Sequence, residues 1–505
     1  MSKTRGLISA GHIATAEAAA VVLREGGNAF DAAVAALLAS FVAEPCMSSA
    51  GGGAFMTAFT QDGNALVYDF FVQTPRHKRR ADETEFFPIV IDFGTTQETF
   101  YVGLGSVGVP GTIGGAFRIA EQLGRLPMSV LAAPAIRMAK EGVEMDDFQN
   151  HDFNLLEDIL ALSKPSPVFW GESGLLEVGE RTRNPEFADC LEFLVHDGIG
   201  EFYRGDVAKL ILKLNDENGG HLTAEDLANY AVDQHTPLAF PYRDRTVLTN
   251  PLPSLGGSII AIALAMLERK GPVAYAPYGR EHVGRLMEVY AYLDRVPKTP
   301  AHLSRELARW LPGSADGFTH RSRKLGGTSH LSILDEEGNG VAISTSNGEG
   351  CGHFVPGTGI MLNNMLGEMA LLPHGLHSWE PNVRLGSMMS PTILLDAADR
   401  VEVVLGSGGA GRIPFMLAQV IHYMVDLGLD LRTAINAPRL HWHEGVCNLE
   451  PGLPADVPAP ETLREMRAWS EQSLYFGGVH AVRRVGDGLE GEGDQRRGGV
   501  MLRVE

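Results

Sequence analysis

The sequence predicts a mixed α/β protein, on three observations. Residues 14–44 carry two helical patterns that run into glycine-rich strands. A mainly helical stretch with polar loops fills 112–320. From 328 the chain becomes strand-rich, interrupted by one long helical segment. With 505 residues, 44% of them hydrophobic, the chain can bury a large core. Length alone allows about two to four domains or one large α/β unit. No internal repeat or linker divides the chain.

The elements follow in order. TAEAAAVVLREGG is alanine-rich and stops at Gly26-Gly27. Asn28 can cap the next helix, AFDAAVAALLASFVAEP, which Pro45 ends. That helix is apolar nearly all round, which predicts burial. SSAGGGAFMTAFT and ALVYDFFVQT read as strands. Within the helical stretch, GGHLTAEDLANY places Thr223 as an N-cap with Asp226 three residues on. TSHLSILD, GVAISTS, GTGIMLNN, SPTILLD and RVEVVLG read as strands, and IPFMLAQVIHYMVDLG as a long amphipathic helix. FGGVHAVRRV and GGVMLRVE close the chain as strands.

Composition narrows the function. Charged residues make up 21% of the chain, which argues against disorder. A net charge of -20 repels phosphate backbones and argues against a nucleic-acid partner. Cys46, Cys190, Cys351 and Cys447 are scattered, which suggests reduced thiols rather than a disulfide framework. No Cys/His cluster has zinc spacing, and neither a metal nor an organic cofactor is implied. MSKTRGLISAGHIATAEAAAVV has a weakly basic start, but no uninterrupted apolar run or clear cleavage site follows. The apolar run from Ala32 to Ala43 is too short to span a bilayer. The expectation is a soluble cytoplasmic protein with no membrane partner.

The stretch KLGGTSHLSILDEEGNGVAISTSNGEGCG, residues 324–352, folds on paper into a hairpin. If the apolar odd positions share a face, Ile333 pairs with Val341 and Leu331 with Ile343. The loop is then Glu336-Glu337-Gly338, with glycine where a left-handed residue is wanted. Extending the register sets Ser346 opposite Thr328, with Cβ atoms about 5 Å apart and hydroxyls within bonding reach. A threonine hydroxyl needs a base. A cut between Gly327 and Thr328 would supply one, because an α-amine titrates near pH ~8. Gly326-Gly327 leaves the carbonyl unshielded. Taken alone, the string also fits a plain β-hairpin. His330 lies two residues along the same strand and reads as structural.

Many segments in order resemble the γ-glutamyltranspeptidases, N-terminal nucleophile hydrolases made as one self-cleaving chain. They include GGNAFDAAVAALLA, EPCMSSAGGGAF, VGVPGTIGG, NPLPSLGG, GGTSHLSILDEEGN, GTGIMLNNMLGE, LGSMMSPT, LGSGGAGRI and GDQRRGG. The resemblance implies a four-layer αββα sandwich with helical additions. It implies a large subunit, 1–327, and a small subunit, 328–505, which stay associated as a heterodimer after cleavage, with a higher oligomer open. Thr328 falls on the family's nucleophile and Ser346 on a second hydroxyl residue that supports it. Asn347 falls on an asparagine of the substrate site. Gly409 and Ala410 fall on the oxyanion pair of Gly-Ser-Pro-Gly-Gly-Ser-Arg-Ile, the second glycine now alanine. The partner implied is a small-molecule amide substrate.

The substrate pocket departs from the family. Phe71 stands where Asp-Phe-Arg supplies an arginine for the substrate's α-carboxylate, and phenylalanine gives no such grip. Arg76 lies nearby in sequence. The family's paired serines appear as Ser387-Met388, and Glu368 occupies the position of the acid that pairs with the substrate's α-amine. The segment between Glu368 and Ser387 is shorter than the family's lid-bearing loop. These departures favour hydrolysis over transfer, and an amide that need not be γ-glutamyl. Two competing readings stand beside this one. LGSGGAG also fits the dinucleotide pattern G-x-G-x-x-G. An unprocessed or inactive relative could act as a binding protein.

Overall fold

The structure is a computed structural model and describes residues 4–92, 97–164, 166–271, 276–312, 327–369, 371–372 and 375–505. Two antiparallel sheets form its centre. The seven-stranded sheet runs Val500–Val504, Gly6–Ala10, Ser329–Asp335, Gly340–Ser346, Gly53–Phe59, Ala65–Phe70, Asp233–His235. The six-stranded sheet runs Gly488–Glu492, Gly478–Val485, Val401–Gly408, Thr392–Leu395, Arg245–Thr249, Leu238–Tyr242. Their inner faces share one apolar cluster, with Leu7, Leu334 and Ala342 from the first and Ile393, Val404 and Val482 from the second. Helices cover both outer faces. Ile13–Arg24 and Ala29–Ala43 pack on the first sheet, and Gly256–Arg269 and Ile413–Val425 on the second. This is the αββα order that the resemblance implied.

Local sequence explains the elements that frame the site. Gly26 takes a φ of +92° just past the first helix. Asn28 and Asp31 then form a reciprocal capping box on Ala29–Ala43, a device whose cap alone stabilises a helix by about 1 kcal/mol. Every residue of Ala29–Ala43 is buried, and its many alanines let neighbouring elements approach closely. The hairpin has the expected register, with Ile333 opposite Val341 and Leu331 opposite Ile343. Gly338 takes a φ of +95° in the loop. Asp335 fixes that turn. Its carboxylate accepts the N–H groups of Glu337 and Asn339, and at 2.9 Å that of Ala29 at the buried helix's start.

Three expectations change. Ile413–Val425 is buried on every face through Met424 and so is not amphipathic, because helix Gly256–Arg269 and strand Val401–Gly408 both pack on it. GTGIMLNN pairs as a strand only at Ile360–Met361. Asn363 pulls the rest into a loop by bonding the carbonyls of Gly51 and Gly108 at 2.8 and 3.0 Å. The stretch read as mainly helical also contains a short pair, Val143–Glu144 with Arg181–Thr182, and three strands of the central sheets, Asp233–His235, Leu238–Tyr242 and Arg245–Thr249. Pro241 masked one of them. It is tolerated because Leu238–Tyr242 is an edge strand. Strand Val401–Gly408 is antiparallel to both neighbours, so LGSGGAG does not open a Rossmann βαβ unit.

Candidate active site

Thr328 immediately precedes the central strand Ser329–Asp335 and is only 3% exposed. The ladder ends at Ser329 opposite Thr345, so one more step sets Thr328 across from Ser346. The two hydroxyls do not bond to each other as expected. The Ser346 hydroxyl instead donates to the carbonyl oxygen of Gly327. It also accepts the N–H of Gly348 at 3.0 Å, which leaves its hydrogen directed at that carbonyl. The N–H of Gly327 donates to Glu349 Oε1 at 2.8 Å. The residue before Thr328 is thus held through both its N–H and its C=O. Gly326, the other glycine of the cutting motif, lies outside the described residues. On the far side, the Ser329 hydroxyl donates to Glu44, which also accepts from Thr15 Oγ1 at 2.7 Å.

The glycine-rich loop packs against this strand. A Cβ on Gly406 would lie 2.2 Å from the His330 ring, and one on Gly408 2.2 Å from the Thr328 carbonyl oxygen. Those glycines therefore serve close approach, not phosphate binding. His330 is fully committed: its Nδ1 meets Ser344 Oγ at 2.8 Å and its Nε2 meets Ser332 Oγ at 2.9 Å. Burial holds its pKa well below the ordinary range, so it stays neutral and structural. Gly409 has a φ of +113° and Ala410 a φ of +55°. Ala410 keeps its backbone N–H, but in a left-handed conformation that costs a residue with a Cβ roughly 1–2 kcal/mol. Strain of this kind is commonly retained where backbone donors serve a site.

Thr328, Ser346, Phe71, Glu368, Ser387 and Ala410 line one cavity. Glu368 is the one ionisable side chain among the described residues of its lining. Burial, reinforced by Glu349 and Glu98, pushes its carboxyl well above the usual range, and its Oε1 has no hydrogen-bond partner among the described residues. Phe71 is buried and stacks on Phe55 at 5.2 Å between centroids. Arg76 does not replace the missing arginine, because its Nε faces Glu225 and Asp226 at 3.6 and 3.9 Å. Arg384 bonds the Phe71 carbonyl and is committed to Asp69, Asp233 and the Tyr230 ring. Ser387 Oγ accepts the N–H of Met389 at 3.1 Å.

Two predicted residues stand outside that lining. Gly409 adjoins it through Ala410. The Asn347 amide lies beside Gly52 and Gly350. Asn347 follows the last residue of strand Gly340–Ser346, and both polar atoms of its amide are buried without a hydrogen-bond partner among the described residues. Sequence reading missed the apolar wall of Met365, Leu371, Met389 and Ile413, and it missed Glu349. Glu349 did leave a trace, as a lone acid between glycines in NGEGCG.

Comparison with known proteins now adds identity to geometry. The γ-glutamyltranspeptidase family model matches residues 15–504. A glutathione hydrolase proenzyme of Pseudomonas aeruginosa is 31% identical, covering 97% of this chain and 93% of its own. An acylase ACY 1 proenzyme of a Pseudomonas species is 27% identical, covering 100% of this chain and 94% of its own. The crystal structure of cephalosporin acylase from Bacillus halodurans superposes with a TM-score of 0.82 at 25% identity, over 99% of this chain and 96% of that one. A family match over nearly the whole length, with the same fold, leaves one conclusion: the chain belongs to the γ-glutamyltranspeptidase family.

Proposed function

We propose that this chain is an amide hydrolase that releases its own nucleophile, Thr328, by cutting the Gly327–Thr328 bond. The observation that carries this reading is the Ser346 hydroxyl held against the Gly327 carbonyl, beside a buried threonine. In the cut, Thr328 Oγ attacks the Gly327 carbonyl carbon, and Ser346 donates to the developing oxyanion. The C–N bond breaks, the hydroxyl proton passes to the Thr328 nitrogen, and water hydrolyses the resulting ester. Residues 1–327 and 328–505 then remain together as two subunits of one sandwich, because both central sheets take strands from each segment.

In the mature enzyme the Thr328 α-amine, with a pKa of about 8, serves as base and then as acid. Thr328 Oγ attacks the substrate carbonyl, and the N–H groups of Gly409 and Ala410 stabilise the oxyanion, a donor's contribution being about 3 kcal/mol. The amine leaves with the relayed proton, and water resolves the acyl-enzyme. A cavity with no cation among the described residues of its lining, walled by methionines and Phe71, supports an acyl group that lacks the α-carboxylate of γ-glutamyl compounds. Glu368 offers a place for an ammonium or a hydrogen-bonding group on that acyl chain. The short segment between Glu368 and Ser387 supports water as acceptor.

Intact mass of the wild type and of Thr328→Ala tests this reading. Two fragments split before Thr328 in the wild type and one chain in the variant are expected. The cleaved protein should hydrolyse p-nitroanilides of neutral aliphatic acids faster than γ-glutamyl p-nitroanilide or glutathione. One uncut chain in both proteins would point to an unprocessed relative that binds without turning over. Rapid glutathione turnover would overturn the substrate assignment.

A further inference from the structure

We propose that Arg384 is a positioning residue that sets the width of the acyl cavity, and through it which acyl groups the enzyme accepts. The proposal rests on the reading that this cavity takes the acyl half of an amide. Two parts of its lining come from segments far apart in the chain, Phe71 from one and Ser387, Met388 and Met389 from the other. Arg384 does not line the cavity itself. It belongs to the second segment and bonds the backbone of the first.

The Phe71 wall is held through its main chain. Its N–H donates to Asp69 Oδ1 at 3.0 Å. Its carbonyl oxygen accepts twice, from Arg384 Nη1 and, at 2.8 Å, from the Tyr230 hydroxyl. Those two donors use both lone pairs of that oxygen. Tyr230 reaches it because residue 111 is glycine, where a Cβ would lie 1.9 Å from the hydroxyl oxygen. The Arg384 guanidinium is itself fixed. It stands 3.5 Å from Asp69 and 3.1 Å from Asp233, donates to the Ala231 carbonyl and lies 4.6 Å from the centre of the Tyr230 ring. The side chain is only 10% exposed, so water competes little for these contacts. A planar guanidinium can serve several acceptors and a ring face at once, which an ammonium cannot do in the same geometry.

The second wall is tied to the first and to the helix behind it. The N–H of Leu385 donates to the Val72 carbonyl at 3.0 Å, and that of Thr74 to the Val383 carbonyl at 2.9 Å. Two residues on from Leu385, the Ser387 carbonyl accepts Ser254 Oγ and the N–H of Leu255, each at 2.9 Å. The NPLPSLGG segment thus seats the second wall on the start of helix Gly256–Arg269, while Arg384 fixes its distance from Phe71. Without Arg384 the two walls can part. A gap of about 0.5–1 Å already forfeits a quarter to a half of each dispersion contact. A wider cavity therefore grips thin acyl chains less well and admits thicker ones.

Steady-state hydrolysis of butanoyl and 2-ethylbutanoyl p-nitroanilide by the self-cleaved protein tests this. The ratio of kcat/KM for the linear over the branched acyl group should fall about fivefold in Arg384→Met, with the change carried by KM. Arg384→Lys, which keeps a cation without the fork, should lower it by less. An equal loss on both substrates, or a change confined to kcat, would overturn the proposal and leave Arg384 a structural residue. Tyr230→Phe removes one donor from the Phe71 carbonyl and keeps the ring, so it should shift the ratio the same way by about twofold. If the Arg384 variants do not fold, an unchanged ratio in Tyr230→Phe overturns the proposal. A wild type that hydrolyses neither anilide would sink the hydrolase reading instead. Calorimetric affinities for butanamide and 2-ethylbutanamide then give the same ratio, and absence of binding, or a ratio the variants leave unchanged, would overturn the role of Arg384.

Discussion

The two cavities that meet at Gly327–Thr328 differ in kind. The acyl cavity has one charged side chain, Glu368, against Phe71 and three methionines, Met365, Met388 and Met389. Its counterpart has five charged residues in its walls, two of them arginines. Burying an ion costs several kcal/mol unless it is paired or neutralised. One space is lined by a single ionisable side chain and the other by five, so the two differ in polarity on either side of one peptide bond. The residue before that bond is held through both its polar groups, Ser346 on the Gly327 C=O and Glu349 on the Gly327 N–H.

The sharpest way to break this comparison is to remove the contact at the carbonyl. Ser346→Ala should slow self-cleavage about 10²–10³-fold, the usual effect of losing one oxyanion donor. Ser346→Thr should restore most of the rate. Conversion of the single chain into fragments, followed by intact mass over time, gives the rates. Cleavage by Ser346→Ala at the wild-type rate would mean that the carbonyl needs no donor and that the contact is only structural.

Phe71 tests whether the acyl cavity is a packed wall. It is about 1% exposed and stacked on Phe55. Phe71→Ala should cost about 3 kcal/mol in urea unfolding and should broaden the acyl chains accepted. A loss below about 1 kcal/mol would show that the wall collapses onto the gap, and acyl selection would then rest elsewhere.

The charged cavity should be visible as a pH dependence of stability. Glu349 has its folded pKa raised from 4.5 to about 8 and Asp152 from 3.8 to about 7. Raised carboxyl values mean that the folded state holds protons the unfolded state has released. Their stabilisation is complete below the unfolded pKa and is lost as pH rises through the folded value. Buried His221, His282 and His480 have the opposite sign, with values lowered to about 4, 3 and 4. Their effect is finished above about pH 6.5, where they are neutral in both states. Between about pH 6.5 and 8 stability should therefore fall, by up to about 1.4 kcal/mol per pH unit for each such carboxyl. Glu349→Gln should flatten that slope. An unchanged slope in the variant would remove Glu349 from the charged set.

How much of this was legible in the sequence depends on whether the signal is local. The hairpin register could be read because Leu331, Ile333, Val341 and Ile343 alternate around a glycine that takes a positive φ. The buried helix could be read because Ala29–Ala43 offers no polar face and Asn28 and Asp31 mark its start. The nearness of Thr328 and Ser346 followed from the same register. The bond that Ser346 actually makes did not, because Gly327 lies before the strand and outside its pairing pattern. Residue-by-residue carry-over assigned Asn347 to the substrate site; its amide is not in the lining of the Thr328 cavity but is buried without a hydrogen-bond partner among the described residues. The second cavity was invisible, since Cys46, Asp152, Gly327, Arg412 and Arg497 share no spacing and meet only through the fold.

The smallest expected effect concerns the loop between the sheet and the nucleophile. Ala410 occupies the second place of the proposed oxyanion pair with a φ of +55°. A left-handed alanine is disfavoured by roughly 1–2 kcal/mol, and glycine would remove that cost. Glycine also gives the unfolded chain more freedom, which takes back about 0.4–1 kcal/mol. Ala410→Gly should therefore stabilise the protein by about 0.5 kcal/mol, a rise in Tm of a degree or two, measurable by calorimetry. The backbone N–H is unchanged, so hydrolysis of a neutral acyl nitroanilide should stay within about twofold of wild type. A larger fall in kcat at unchanged KM would show that the methyl group holds the loop in its productive conformation. In that case alanine at this position tightens the oxyanion site, and the strain at Ala410 is part of how the shape-selective cavity is kept rigid.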